Sequence, residues 1–437
     1  MFRRLWDVVV VGAGASGLAA AEALSRSGAS VVVVEARARA GGRVFSRRVR
    51  GWPLPVQLGA EFVHGRNEML FSLARNAGLL IDRLPDAYFE VTGSGWKRTT
   101  SLWKRFDAIT RRMRRDGPDR SVEDFLRSRR GLSPAQKRLA RSLVDGYYAA
   151  FPDRASEHAL STAGDPPLET DEVLQFRVVS GYNEVIDWLR LRLDPERCRL
   201  LFSTPVTEIR WRRGEVRVRT GGAGELRARR AVVTVPIGVL KSDPGERGGI
   251  RFDPDPPTLR HTLARLEMGH VVKIVLRFRE AFWEADPPPA LKRGAPFGYL
   301  HRWGAEYPTW WTAAPAEVPM LTGWAGGPQA AALLRLPRAQ RLDPGLETLA
   351  SVFGTRAGKL RRRLIGWHTH DWSADPYCRG AYSYVAVGGA NSPAALGKPI
   401  DDTLYFSGEA TETDESGTVP GAIASGRRVA RLILSGR

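Results

Sequence analysis

Residues 7–35 restrict the fold more than any other stretch of the chain. A β-branched run from Asp7 to Val11 ends at Gly12-Ala13-Gly14-Ala15-Ser16-Gly17; LAAAEALSRSG follows, then a second apolar run from Ser30 to Val34, then Glu35. Short runs of this kind form strands buried on both faces of a parallel sheet. The stretch between them reads as a helix closed by Gly28. Strand, glycine turn, helix, strand and acid together make a dinucleotide-binding βαβ unit. Gly12 permits the tight turn, Gly14 lets a pyrophosphate approach the backbone, and Gly17 lets helix and strand pack closely. The helix start at Ala15 and Ser16 turns unpaired amides and a positive dipole end toward phosphate. Glu35, about 20 residues past the turn, is placed for a ribose hydroxyl pair. The class is α/β.

The same segment imitates a secretion signal, with FRRLW before an apolar run and Ala21-Glu22-Ala23 as a cleavage-like site. Asp7 interrupts the junction, and glycines at fixed spacing do not suit an inserting helix. No run reaches the roughly 18 apolar residues of a membrane span, so a cytoplasmic protein is expected. At 437 residues the chain should form two or three domains. Cys198 and Cys378 have no CxxC spacing, which argues against a disulfide framework or a metal site. The formal charge of +19 would favour an anionic partner, but the basic residues are scattered without a tail and read as a solvated surface.

Glu35-Ala36-Arg37-Ala38-Arg39-Ala40-Gly41-Gly42-Arg43 resembles the second signature of glutathione-reductase-like FAD proteins. The resemblance implies that Arg43 reaches the pyrophosphate through charge-assisted bonds. It also implies that Gly42 and its neighbour admit the flavin side, with Ala36 and Arg37 among the cofactor contacts.

Further segments follow in chain order: LGAEFVHG from Leu58, SGYNEVIDWL from Ser180, STPVTEIRW from Ser203, TVPIGVLK from Thr234, VVKIVLRF from Val271, WSADPY from Trp372, GAYSY from Gly380, FSGEAT from Phe406 and SGTVPGAIASGRR from Ser416. Together they resemble the flavin amine oxidase family, which includes monoamine oxidases, polyamine oxidases and histone lysine demethylases. The fold implied is a glutathione-reductase-like FAD-binding Rossmann domain with an inserted α+β substrate-binding domain. The expected FAD domain comprises 1–80, 195–265 and 385–437, and the substrate domain 81–194 and 266–384. Leu102, Phe106, Ile109 and Met113 form an apolar stripe at helical spacing in the first insertion.

Lys273 lies in a strand whose Val272, Ile274, Leu276 and Phe278 share the opposite face, and a lysine there is costly to bury without a partner. In the family the matching lysine holds a water against flavin N5. The resemblance places Gly59, Ala60 and Glu61 beside the flavin ring, the Val206 backbone at the adenine, and Trp372, Gly408 and Glu409 among the cofactor contacts. Thr418 and Val419 precede a helix opened by Pro420, whose positive end would face the flavin pyrimidine. Ala381 stands where monoamine oxidases carry the flavin-linking cysteine, so FAD should be non-covalent. Tyr382 and Thr418 stand where those enzymes place two tyrosines. Phe62 replaces the arginine that binds an amino-acid carboxylate, which disfavours α-amino acids. His64 matches a histidine of polyamine oxidases, with an ordinary pKa near 6.5 suited to proton exchange. Asp165, in AGDPPLET, would bind a distal ammonium.

The resemblance is nearest to polyamine oxidases, so the expected function is polyamine oxidation: hydride transfer from the carbon beside an amine nitrogen to flavin N5, with oxygen as acceptor and hydrogen peroxide as product. The expected catalytic set is Lys273, His64, Tyr382 and Thr418, with Phe62, Glu61 and Asp165 at the substrate, in a monomer or homodimer. A cationic polyamine would be repelled by this charge unless Glu61, Asp165, Glu169, Asp171 and Glu172 made the cleft mouth acidic. That conflict leaves two alternatives: an oxidase or desaturase of a neutral or anionic substrate, and a non-catalytic flavin protein that binds nucleic acid.

Overall fold

The computed structural model describes residues 4–85, 87–93, 95–99, 101–162, 174–285, 290 and 297–436. The chain forms two compact units. The first comprises Met1–Phe45, Asn183–Met268 and Ser373–Arg437, and the second Ser46–Tyr182 and Gly269–Trp372.

The first unit is built on an eight-stranded sheet. Leu5–Val11 lies at its centre, parallel to Val31–Val34 on one side and to Gly224–Val233 on the other, and Cys198–Leu201 extends it parallel to Val31–Val34. The valines of Val31–Val34 are all buried, each contributing about 1.5–3 kcal/mol by removal from water. The long strand Gly224–Val233 divides its partners. Its first half pairs antiparallel with Glu215–Thr220, and Ala231–Val233 pairs parallel with Leu404–Phe406. Helix Ala15–Arg26 packs on helix Val419–Ser435 so closely that a Cβ on Gly426 would lie 2.2 Å from the Ser16 carbonyl oxygen.

The second unit carries a seven-stranded sheet, antiparallel except for the pairing of Tyr299–His301 with Tyr88–Thr92. Val271–Phe278 is an interior strand, paired with Met320–Gly326 and Leu364–Thr369, so Lys273 does not lie on a solvated edge. Trp283, Trp310, Tyr307 and Phe297 fill the core of this unit. A smaller sheet sets Gln175–Val178 between Phe62–His64 and Ile81–Arg83. The predicted apolar stripe forms helix Leu102–Thr110; Met113 lies past its end but is still buried. Helix Pro134–Gly146 opens with a capping box between Ser133 and Gln136.

The boundaries differ from the sequence expectation by more than a few residues at three places; residues 373–384, expected in the substrate domain, join the first unit, where Asp375 and Ala381 accept hydrogen bonds from Arg37 and Arg43. Residues 46–80 join the second unit because Phe62–His64 depends on Gln175–Val178 for its hydrogen bonds. Residues 183–194 join the first because Ile186 packs within 3.5 Å of the Cβ position of Gly41. No helix among the described residues is long and apolar enough to cross a membrane.

Candidate active site

In the first unit the glycine turn is shaped as its spacing predicted. Gly12 has φ +107°, and a Cβ on Gly17 would meet the Gly12 carbonyl oxygen at 2.0 Å, so neither position accepts a side chain without moving backbone. Gly14 has open space where its Cβ would stand. It also caps helix Ala15–Arg26 without any side-chain hydrogen bond, leaving the first-turn amides for an anion. Gly42 and Gly41 fold back on this turn, where the Gly41 amide donates to the Ala13 carbonyl at 2.8 Å.

Glu35 is buried beneath the turn, accepting from the Ala13 amide at 2.9 Å and from the Arg37 amide at 2.8 Å, one per oxygen. A carboxylate oxygen has two acceptor sites, so Glu35 keeps capacity for a hydroxyl pair. The Glu35 and Arg37 carbonyls accept from the Thr204 and Ser203 amides, which brings the backbone leading to Val206 beside Glu35 and Ala36. Arg37 itself donates to Asp375 at 2.6 Å and to the Cys378 sulfur at 3.2 Å, and thereby ties two chain segments together.

Arg43 donates to the Ala381 carbonyl at 2.6 Å and to Glu409 at 2.7 Å, and Ser383 donates to the other Glu409 oxygen at 2.7 Å. A buried hydroxyl triad that sequence reasoning missed supports this corner. Ser16 lies 2.6 Å from Ser407 and 3.2 Å from Ser425, and Ser425 accepts from the Gly408 amide at 2.9 Å. Thr418 caps the last helix, accepting from the Gly421 amide and donating to the Glu415 carbonyl. Pro420 has no amide hydrogen and Gly421 is capped, so Val419 supplies the free first-turn donor among the described residues. Tyr382 packs against Gly417, next to Thr418. The open Gly14, the uncapped helix start, the spare acceptors of Glu35 and the donors of Arg43 suit the pyrophosphate and ribose of FAD.

The second unit contains a buried charged cluster. Glu61 accepts from Lys273 Nζ at 2.5 Å on one oxygen, and from Arg177 Nη2 at 2.7 Å and Trp311 Nε1 at 3.1 Å on the other. Lys273 also donates to the Gly59 carbonyl at 3.1 Å, while Trp372 donates to the Leu58 carbonyl at 3.0 Å, so the Leu58–Glu61 segment, Ala60 included, is held from two sides. Burial pushes the Glu61 carboxyl up, but Lys273 and Arg177 together outweigh it and hold the group below its ordinary value. Glu61 was expected to add negative charge at the cleft mouth; it is buried, with both oxygens engaged inside the protein. Arg177 was not anticipated. The signal that singled out Lys273, a cation in a buried apolar strand, applies equally to Arg177 within QFRV.

Aromatic rings surround this cluster. Phe62 lies 5.2 Å from Trp311 and 5.5 Å from Tyr299; Tyr299 stacks on Tyr88 at 5.2 Å; His64 meets Tyr147 edge-on at 5.6 Å. Tyr147 exposes 38% of its surface, yet burial pushes its phenol up to about 12. His64 is exposed too, and desolvation, partly offset by Gln175, keeps its imidazole below the ordinary value. Asp165, Glu169, Asp171 and Glu172 lie outside the described residues.

The flavin containing amine oxidoreductase family matches residues 15–434. Among curated relatives, polyamine oxidase 1 of Oryza sativa subsp. japonica is 29% identical over 98% of this chain and 96% of its own length. Lysine-specific histone demethylase 1 homolog 3 of Arabidopsis thaliana is 26% identical over 98% of this chain, which spans only 30% of that protein. Human amine oxidase [flavin-containing] B is 26% identical, covering 98% and 86% of the two chains. Putrescine oxidase bound to putrescine shares the fold with a TM-score of 0.82 at 21% identity, with 99% of each chain covered. Cyclohexylamine oxidase from Brevibacterium oxydans IH-35A does so at 0.80, with 23% identity and 99% of each chain covered. Motif order, cofactor cradle and fold agree with the match across nearly the whole sequence, and the chain belongs to the flavin-containing amine oxidoreductases.

Proposed function

We propose that this protein oxidises an amine carried on an apolar or aromatic body, converting the carbon beside nitrogen to an imine that water hydrolyses to an aldehyde. The observation that carries the reading is the set of aromatic rings packed around the Glu61–Lys273–Arg177 cluster. The rings offer apolar surface and π faces for an ammonium, and among the described residues the cluster's carboxylate is already engaged. Bound FAD supplies the hydride acceptor and passes both electrons to dioxygen, which leaves as hydrogen peroxide.

The chain's own residues then have separable tasks. Glu35 and Arg43 would hold ribose and pyrophosphate, while the Val419 amide and the positive end of its helix would favour negative charge on the bound cofactor. Phe62, Tyr88, Tyr147 and Tyr299 exclude water and orient the substrate body. His64 accepts a hydrogen bond or proton from the amine, as a neutral imidazole can. Thr418 acts through the helix it caps, and Tyr382 packs beside it against Gly417.

A polyamine is the second reading, favoured by His64 and by the rice polyamine oxidase relative of nearly equal length. It requires a carboxylate for the distal ammonium, and Asp165 is the candidate. The deciding experiment is anaerobic bleaching of the bound flavin by benzylamine, cyclohexylamine, putrescine, spermidine, spermine, acetylated spermine and L-amino acids. Fast bleaching by the first two alone supports the apolar-amine reading. Bleaching by polyamines alone, weakened in Asp165→Asn, replaces it with the second. No bleaching by any amine sinks both.

A further inference from the structure

The cluster among these aromatic rings contains two cations and one anion. Lys273 is 2% exposed, Arg177 7% and Glu61 9%. Glu61 and Arg177 are the charged groups acting on Lys273. Among the described residues, the other side chains named around it carry no charge. Trp324 stands opposite it on the neighbouring strand, and the Trp311 ring lies 5.6 Å from its nitrogen. Burial keeps the Tyr299 phenol protonated. On the strand at its other side, His368 pairs with Val275 rather than with Lys273.

A net positive charge in a water-poor interior is costly, and a group that can lose its charge does so. Arginine cannot, and lysine can. Hydrogen-bond counting gives the same answer. An ammonium has three donors, and the described residues offer Lys273 Nζ two acceptors, Glu61 Oε2 at 2.5 Å and the Gly59 carbonyl at 3.1 Å. An uncharged amine uses its two donors on these and keeps one lone pair. The Trp311 face favours the ammonium, but from 5.6 Å it is a weak counterweight to an uncompensated buried ion.

We infer that Arg177 is a positioning residue for the oxidation: by holding the second oxygen of Glu61 it leaves Lys273 as an uncharged amine whose lone pair accepts a proton from the substrate ammonium. The substrate R–CH2–NH3+ becomes R–CH2–NH2, the form that can release hydride, and Lys273 becomes an ammonium that returns its proton to water before the next turnover. The proton-transfer half rests on the amine-oxidase reading above; the charge state of Lys273 does not. Burial draws the lysine below its ordinary value, Glu61 offsets this in part, and Arg177 adds to it.

The test is an NMR titration of the holoenzyme labelled with 13Cε-lysine. The chain has eight lysines, and the Lys273 signal is assigned by its loss in Lys273→Met. At neutral pH the wild-type Lys273 signal should already be that of the uncharged amine, its midpoint displaced below the assay pH from the ordinary lysine value of about 10.4. Arg177→Gln should raise the midpoint by a unit or more, a tenfold change in proton affinity, and Glu61→Gln should lower it. The acidic limb of the kcat/KM profile should move up with Arg177→Gln, whereas a merely structural role would reduce the rate at every pH without moving the limb. A wild-type Lys273 signal that is still that of the ammonium at neutral pH overturns the inference whether or not any variant folds, and an unmoved midpoint in Arg177→Gln removes its role. Shifted midpoints with no flavin reduction by any amine would refute the proton transfer together with the amine-oxidase reading and leave the charge state standing. Amine oxidation with an ordinary Lys273 titration would refute the charge state and the proton transfer and leave the amine-oxidase reading standing.

Discussion

Glu61→Gln removes a charge while keeping the side chain's shape, and the cost can be worked out from its contacts. Three donors converge on this carboxylate: Lys273 at 2.5 Å, Arg177 at 2.7 Å and Trp311 at 3.1 Å. Hydrogen bonds to a charged partner contribute about 1.5–3 kcal/mol each. Glutamine keeps one acceptor oxygen and turns a donor-only NH2 group toward either Lys273 or Arg177. Lys273, uncharged, can accept from that NH2 group through its lone pair; Arg177 cannot lose its charge and is left without its anion. The expected penalty is that of unpairing one buried ion, about 3–5 kcal/mol. In a cooperative unit of 150–250 residues, where each kcal/mol moves Tm by about 2–4 °C, Tm should fall by roughly 10 °C. Thermal and urea unfolding should be followed in the apoprotein, because bound FAD would add its own stabilisation. An apoprotein Tm within 2 °C of wild type, with an unchanged urea slope, would refute the view that this cluster is a desolvated ion network.

Three further outcomes are expected. Lys273→Met should retain FAD but slow flavin reduction or reoxidation in stopped-flow absorbance, and unchanged kinetics would remove Lys273 from the mechanism. Gly17→Ala and Gly14→Ala should separate fold from ligand. The first drives a Cβ to 2.0 Å from a backbone oxygen and should cost the apoprotein about 1–3 kcal/mol, whereas the second meets no atom within 4 Å and should weaken FAD binding alone by titration. Asp145, whose carboxyl is pushed up to about 7 by burial, gives a pH dependence. Its folded value lies above the unfolded one of about 3.9, so the folded state holds more protons in that window and stability declines as pH rises from about 4 to about 7. Asp145→Asn should abolish that decline and stabilise the protein at pH 8 by up to about 4 kcal/mol, helped by an amide donor for the Gln329 oxygen that has no partner among the described residues. Equal stabilities at pH 8 would count against it.

The nucleotide-binding half of this protein is legible in its residues alone. The requirements at Gly12, Gly14, Gly17 and Glu35 are local: a tight turn, a close approach, and an acid one strand away, all within a single βαβ unit. Periodicity likewise marked Lys273 as a cation needing a partner, because alternation places it in an apolar strand. Only the tertiary structure decided which partner it has. Glu61 is 212 residues away in sequence, and Arg177, which shares that carboxylate, is 116 residues from Glu61. The burial cost of a charge says that it must be compensated, not by which residue or in what ratio. The assignment of residues 46–80 to the second unit is of the same kind, since the strand at Phe62–His64 gains its hydrogen bonds from Gln175–Val178 and from nothing near it in the chain. Local steric demands can be read from spacing; charge balance and strand pairing depend on contacts that the folded chain alone brings together.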